Sequence, residues 1–315
     1  MTDTTNLTGF QRPDGSIGCR NHVLVLPTVV CAGLAALEIA GTSATAIIHQ
    51  HGCDHVGDDA TQTQRVFTGL AANPNVAAGL LLGLGCETIQ GPPLLDSLTA
   101  SQRNIGYLGI QECGGSATAV AHGRAILGEL AATATQLQRK SVPASSLTLG
   151  VAAGDAEENG HAVRAILDRA RTAGAQVVIA FSDDDRALDR GWEDTSRIRY
   201  GDRPSQPVAI VANSGSGVEQ HTSLAAAGAQ VIGSLRGPRQ APLGVPICPV
   251  ISVACHSATY MALRDDFDID GSSAAPEALA AQVWSLAVQV FGGQQTAAER
   301  RGAHEFAMQR VSRST

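Results

Sequence analysis

Short apolar runs recur along the chain, separated by stretches in which apolar positions return at helical spacing. The runs are His22 to Leu26, Ala44 to Gln50, Val76 to Leu84, Gly106 to Ile110, Leu147 to Ala152, Gln176 to Phe181, Val208 to Ala212, Gln230 to Leu235 and Val250 to Ala254. Continuous rather than alternating hydrophobicity predicts strands covered on both faces, as in parallel sheets. Helices are expected at Cys31 to Ile39, Asp59 to Ala71, from Pro92-Pro93 onward, up to Ala132, and at Ala156 to Ala173. Two more, Pro276 to Val290 and Ala297 to Gln309, follow the last strand. This alternation predicts an α/β protein built from two doubly wound, Rossmann-like, mostly parallel sheet units. The polar stretch Gln136 to Ser146, with Pro143, sets the expected boundary, giving domains 1–140 and 141–315.

Three of the runs stop in the same way. One passes into His49-Gln50-His51-Gly52-Cys53-Asp54-His55, one into Leu84-Gly85-Cys86-Glu87, and one into Gln111-Glu112-Cys113-Gly114-Gly115. A single cysteine beyond a strand is usually a small core hydrophobe. Three strand ends carrying cysteine beside glycine and an ionisable group point instead to a site, since ligands of open α/β sheets gather beyond the carboxyl ends of strands. Other motifs carry less. Asn213-Ser214-Gly215-Ser216-Gly217 lacks a full phosphate-binding fingerprint and reads as a tight turn. Asp183-Asp184-Asp185 reads as a loop or helix-start feature, and Asp265 to Gly271 lacks the downstream glutamate of a calcium loop.

Composition narrows the classes. A net charge of −7 argues against a nucleic-acid or anionic-membrane surface, and 3% aromatic residues disfavour base stacking. No apolar stretch is long enough for a membrane helix, and the polar start lacks the parts of a signal peptide, so a cytoplasmic protein is expected. Seven cysteines without a dense framework favour metal binding or catalysis over disulfides.

The run Phe10-x-Arg12-Pro13-Asp14-Gly15-x-x-Gly18-x-Arg20-Asn21, the His49-x-x-Gly52-Cys53 loop, Asn73-Pro74-Asn75, Gly83-Leu84-Gly85-Cys86-Glu87 and Ile110-Gln111-Glu112-x-Gly114-Gly115 together resemble the altronate/galactarate dehydratase family. That family includes the large subunit of sulfolactate sulfo-lyase. The resemblance implies a lyase that removes water or sulfite from a small anionic 2-hydroxy acid, generally with iron. It also implies a small antifreeze-like domain, fused or separate, which leaves room here for a separate small partner chain in a homo- or hetero-oligomer. The chain departs from the family at Ala152-Ala153-Gly154-Asp155, where Cys-Gly-Gly-Ser-Asp is typical.

For such an elimination, histidine and thiolate donors suit iron. His49, Cys53 and Cys86 form the expected ligand set, with Cys113 a fourth. The metal is Fe2+, another divalent ion or an iron–sulfur cluster, which the sequence leaves open. His51 or Glu87 is the candidate base, and His55 or Glu112 the candidate acid. Arg12, Arg20 and Arg236 are the candidate anion holders, with Asn21 and Gln111 beside the substrate. Two alternatives stand beside this reading: a noncatalytic binding or assembly subunit, and a cysteine-dependent hydrolase using Cys113 or Cys53.

Overall fold

A computed structural model describes residues 6–52, 55–154, 156–182, 192 and 195–311. Among them the strands form three sheets. The first half builds a parallel sheet in the order β4-β3-β5-β6 from β3 (His22–Pro27), β4 (Thr45–Ala46), β5 (Val76–Gly83) and β6 (Ile105–Gly109). Every residue of β5 is buried, as an unbroken apolar run requires. One face is covered by α1 (Gly33–Ala40) and α4 (Ser116–Thr135), the other by α2 (Gly57–Ala71) and α3 (Gly91–Ala100). Pro92 and Pro93 open α3, where a missing N–H costs nothing.

The second half is a seven-stranded parallel sheet, β10-β11-β9-β8-β12-β13-β14. Its strands are β8 (Thr148–Gly154), β9 (Gln176–Phe181), β10 (Ser196–Ile198), β11 (Val208–Val211), β12 (Val231–Arg236), β13 (Val250–Ala254) and β14 (Ile269–Asp270). The helices α5 (Ala156–Thr172), α6 (Val218–Ala226), α7 (Ser257–Leu263), α8 (Pro276–Phe291) and α9 (Ala297–Arg301) surround it. Strand order reverses between β8 and β12, which makes that crevice the topological switch point. The predicted class, parallel sheets flanked by helices, is the observed one.

One hydrophobic cluster runs through both sheets, joining Leu24, Leu26, Phe67 and Leu81 to Val178, Val211, Leu224 and Ile232. The junction is α2 against α6, and Gly69 makes it possible. A Cβ there would lie 2.4 Å from the Ala226 carbonyl oxygen.

The expected linker is itself a strand, β7 (Arg139–Pro143), paired antiparallel with β1 (Asn6–Gln11), which also pairs with β2 (Ile17–Gly18). Asn73-Pro74-Asn75 is more than a chain break. Both asparagines are fully buried. The Asn75 amide donates to the carbonyls of Gln230 (2.9 Å) and Ile247 (3.0 Å), and its oxygen accepts from the N–H groups of Cys19 and Arg20. Asn73 donates to the Ala225 and Ala229 carbonyls at 2.7 and 3.0 Å.

Two expected elements are shorter than their sequence patterns. The Ala44 to Gln50 strand is regular only at Thr45–Ala46, with one further backbone bond from Ile47 N–H to the Val25 carbonyl, after which the His49 ring takes the Pro27 carbonyl that a longer ladder would face. The last helix stops at Arg301 instead of Gln309. Gly302 adopts a left-handed φ of +67°, and Ala303 N–H returns to the Ala298 carbonyl. Residues 302–311 then run as an irregular strap. No described helix is long and apolar enough to cross a membrane.

Asn75→Ala strands four backbone partners in the interior, so it is expected to cost at least about 3 kcal/mol in urea denaturation, at about 1 kcal/mol or more per group. His221 generates a second expectation. Its ring is fully buried between the Ser234 hydroxyl and the Gly244 carbonyl, and burial, with Arg236 nearby, lowers its pKa to about 4 from 6.5. The unfolded chain therefore binds this proton first on acidification. Stability contributed by the neutral ring is complete above pH 6.5 and is lost as pH falls toward 4. The urea midpoint should fall across that window, and fall less steeply in His221→Gln.

Candidate functional site

The carboxyl ends of β3, β4, β5 and β6 lie side by side, and backbone bonds carry the strand alignment a residue or two further. Thr28 N–H reaches the Leu82 carbonyl, Ile47 reaches Val25, and Ile110 reaches Gly83. What emerges at this edge is set by these short extensions.

Glu87 organises the β5 exit. Its carboxylate is 3% exposed and accepts from the Thr28 hydroxyl (2.7 Å), Leu84 N–H (3.1 Å) and Gly85 N–H (2.6 Å). With three donors on it, this carboxylate clamps the loop after β5. Gly83 is required beneath it, since a Cβ would stand 2.7 Å from both Glu87 Oε1 and the Tyr107 hydroxyl. Burial raises the Tyr107 pKa, and the neighbouring Glu112, Glu87 and Cys113 raise it further. Tyr107 thus stays a neutral donor. Glu112 is exposed and folds back over Gly109, while Gln111 covers Gly85.

The histidines make a connected chain at the β4 exit. His49 is buried against Phe67, with ring centroids 4.8 Å apart, on the face of the sheet that α2 covers. Its Nε2 meets the Pro27 carbonyl at 2.7 Å and its Nδ1 accepts from His51 N–H at 3.2 Å. Burial lowers its pKa, an effect these bonds only partly offset, so the ring is neutral. His51 Nδ1 lies 3.2 Å from His55 Nε2, and His55 Nδ1 lies 2.8 Å from the Thr63 hydroxyl. Thr63 spends its one proton on the Asp59 carbonyl at 2.8 Å. With the Thr63 proton spent, His55 donates from Nδ1 to Thr63, and its Nε2 then accepts from His51 Nδ1–H, which is the tautomer this chain of bonds favours.

The strap closes over this loop. Phe306 packs 6.3 Å from the His51 ring, Val311 N–H donates to Asp59 Oδ1 at 2.7 Å, and Gln62 donates to the Gln309 carbonyl. Asp58 and Asp59 also sit in the first turn of α2, where negative charge suits the helix dipole.

The expected iron ligands do not converge among the described residues. Both His49 nitrogens are engaged with backbone, Cys86 is exposed, and Cys113 stands 3.9 Å from His122 Nδ1. Cys53 lies outside the described residues, and no described group of three histidine, cysteine or acidic side chains is arranged for a metal. Among the described residues, then, His49, Cys86 and Cys113 do not assemble a metal site.

The expected anion holders divide. Arg12, 2% exposed, gives Nε to the Pro74 carbonyl, Nη1 to Asn21 Oδ1 and Nη2 to the Arg20 carbonyl; burial and then Arg103 lower its pKa to about 10. Asn21 in turn donates to the Ala134 carbonyl. Arg20 holds Glu299 at 2.6 and 2.8 Å; burial pulls its pKa down, but the bond and charge of Glu299, with Cys19 and Cys248 nearby, together raise it. All three lie where β3 begins, about 17 Å from the strand ends at about 3.3 Å per residue. They staple the fold at the opposite end of β3 from the strand-end edge. Arg236 ends β12 at the switch point, 8% exposed, with Nε on the Ala241 carbonyl and no carboxylate partner among the described residues.

Sequence reasoning passed over Thr28, Thr63, Tyr107 and His122. Thr63 was findable, because it falls eight residues after His55 and nearly two turns inside α2, whose start the two aspartates mark.

The chain is similar in sequence to known proteins. Residues 9–135 match the model of the D-galactarate dehydratase/altronate hydrolase second domain, and residues 195–314 match that of the D-galactarate/altronate dehydratase C-terminal region. An altronate dehydratase of Bacillus subtilis is 29% identical over 162 residues, covering 47% of this chain and 32% of that protein. An altronate dehydratase of Escherichia coli is 33% identical over 93 residues, 26% of this chain and 19% of that protein. The (2R)-sulfolactate sulfo-lyase subunit beta of Chromohalobacter salexigens is 28% identical over 151 residues, 47% of this chain and 38% of that protein. The matches thus span well under half the length of these relatives.

Glu87→Gln replaces an acceptor by a donor facing N–H groups and a hydroxyl, and should cost about 1–3 kcal/mol in thermal or urea unfolding. Thr28→Val, which removes one of the three donors, should cost less.

Proposed function

The chain belongs to the D-galactarate dehydratase/altronate hydrolase family, and from that membership we propose that it is a lyase acting on a small 2-hydroxy acid, with His51 moving the proton. The relatives are two altronate dehydratases and a sulfo-lyase subunit, and elimination is the chemistry common to their names. The observation that carries the assignment of roles is the His51–His55–Thr63 chain ending on the Asp59 carbonyl.

In the proposed reaction the C–H bond beside the carboxylate breaks, its proton passes to His51 Nε2, and the electron pair forms a carbon–carbon double bond as the hydroxyl on the next carbon leaves. The imidazolium returns its proton to that hydroxyl, releasing water, and the enol relaxes to a 2-keto acid. One imidazole thus serves as base and then acid, which suits syn geometry. His55 and Thr63 are positioning residues. They fix the His51 tautomer and stabilise its positive charge as it forms, the job a buried hydrogen-bond acceptor does for any general base. Glu112 and the neutral Tyr107 lie at the β6 exit, two strands from β3, and a polar substrate end is proposed to rest there. Of the two leaving groups, hydroxyl is favoured, because sulfite departs without needing the proton that this histidine chain supplies.

A relative named as a subunit supports a second polypeptide in the assembly. Val30, Leu34, Leu37 and Ile48 are exposed apolar side chains on and beside α1, next to the histidine loop. We place the proposed small partner chain over them.

The test is elimination from altronate, galactarate and sulfolactate, read as 2-keto acid or sulfite formed. His51→Ala should lower kcat/KM by about 10²–10⁴-fold. Thr63→Val should cost less but move the pH profile of kcat, which a purely structural threonine would not do. Full activity in His51→Ala removes the assigned role; no product from any of the three acids with the partner chain present removes the lyase reading.

A further inference from the structure

The two halves also enclose a cleft of about 430 Å3 on the opposite side of α2 from the histidine chain. Its walls come from α2, from the turn before β6 and from the segment after β10. Charge distinguishes it. Among the described residues Arg65, Arg103, Arg199 and Arg203 line it against two carboxylates, Asp14 and Asp202, in a protein whose net charge is −7.

The pairing leaves positive charge over. Arg65 and Arg199 share Asp202, at 3.7 and 2.7 Å. Arg103 binds Asp14 at 2.9 Å and closes the end of α2 by donating to the Ala72 and Asn73 carbonyls; Arg203 also donates to Ala72. Among the described residues two guanidinium charges therefore remain uncompensated around the cleft. Arg65 Nε is in addition buried and makes no hydrogen bond, with Asp202 Oδ1 standing 3.7 Å away. An unmet buried donor beside surplus charge is the arrangement an incoming oxyanion satisfies. Burial above all, with Arg199 alongside, holds the Arg65 pKa below its ordinary value even though Asp202 opposes it.

We propose that this cleft binds a small phosphate monoester as a dianion, its oxygens taken by Arg65 and Arg199 and its organic part lying in the remaining volume. Guanidinium forks match phosphate oxygens two at a time, which favours this class over a halide or a single carboxylate. The volume exceeds what a bare oxyanion fills and falls within the range of small-molecule sites. The walls belong to both halves, so an occupant would hold α2 against the segment after β10.

The experiment is binding of glycerol 2-phosphate and of inorganic phosphate to the full chain, by calorimetry and thermal shift, with chloride at equal ionic strength as control. Both phosphates should raise Tm where chloride does not, the ester at least as strongly. Arg65→Gln with Arg199→Gln should weaken binding about tenfold or more. Asp202→Asn frees both arginines from their shared carboxylate and should tighten binding severalfold, a gain that an unfolded variant cannot imitate. An equal shift with chloride, undiminished binding in the double variant, or no gain in Asp202→Asn each overturns the proposal. None of these readings depends on elimination activity, so the lyase assignment and this site fail separately.

Discussion

Two buried carboxamides hold the molecule in register. A primary amide offers two donors and two acceptor positions, so Asn75 alone satisfies backbone groups from the entry to β3, the entry to β12 and the loop before β13. Asn73 adds the turn after α6. Without these bonds, carbonyls of one half and N–H groups of the other would face each other's backbones in a dry interior. Because Asn73 follows directly on α2, the node also fixes that helix. At its other end α2 carries Asp59 and Thr63, and so the orientation of His55 and His51 depends on contacts made some four turns away.

Much of the framework was legible in the sequence because continuous apolar runs have few physical solutions. The positions of β3, β5, β6, β8, β9 and β13 follow from them within a residue or two, and the strand ends marked by glycine do form one edge. The side chains were less legible, since residue type does not say where a long side chain points. Arg12 and Arg20 have the planar fork that suits a substrate carboxylate, yet their forks fill with carbonyls, Asn21 and Glu299. Glu87 reads like a base and is a clamp. His49 reads like a ligand, but its ring replaces a rung of the β4 ladder. Thr63 and Asn75 act through hydrogen bonds to distant backbone, which no local pattern records.

The stretch between the two family-model matches, residues 136–194, includes β8, the central strand of the larger sheet. Ala152 and Ala153 near its end are both buried, small enough to pack in a strand flanked on both sides and on both faces. At the adjoining end of β12, Arg236 is a charged group only 8% exposed.

The short outer strands have a consequence for assembly. The larger sheet ends in three paired residues at β10 and two at β14, and the smaller in two at β4, although the strands inside are much longer. Such stubs present few open backbone groups to template a foreign strand, so edge-to-edge growth is disfavoured at these three borders, while β6 and β7, five residues each, are the longer outer strands among the described residues. At the stub borders a copy of the chain or a partner would meet helix faces instead. Association by packing can be reversed by dilution, and intermolecular sheet rarely is.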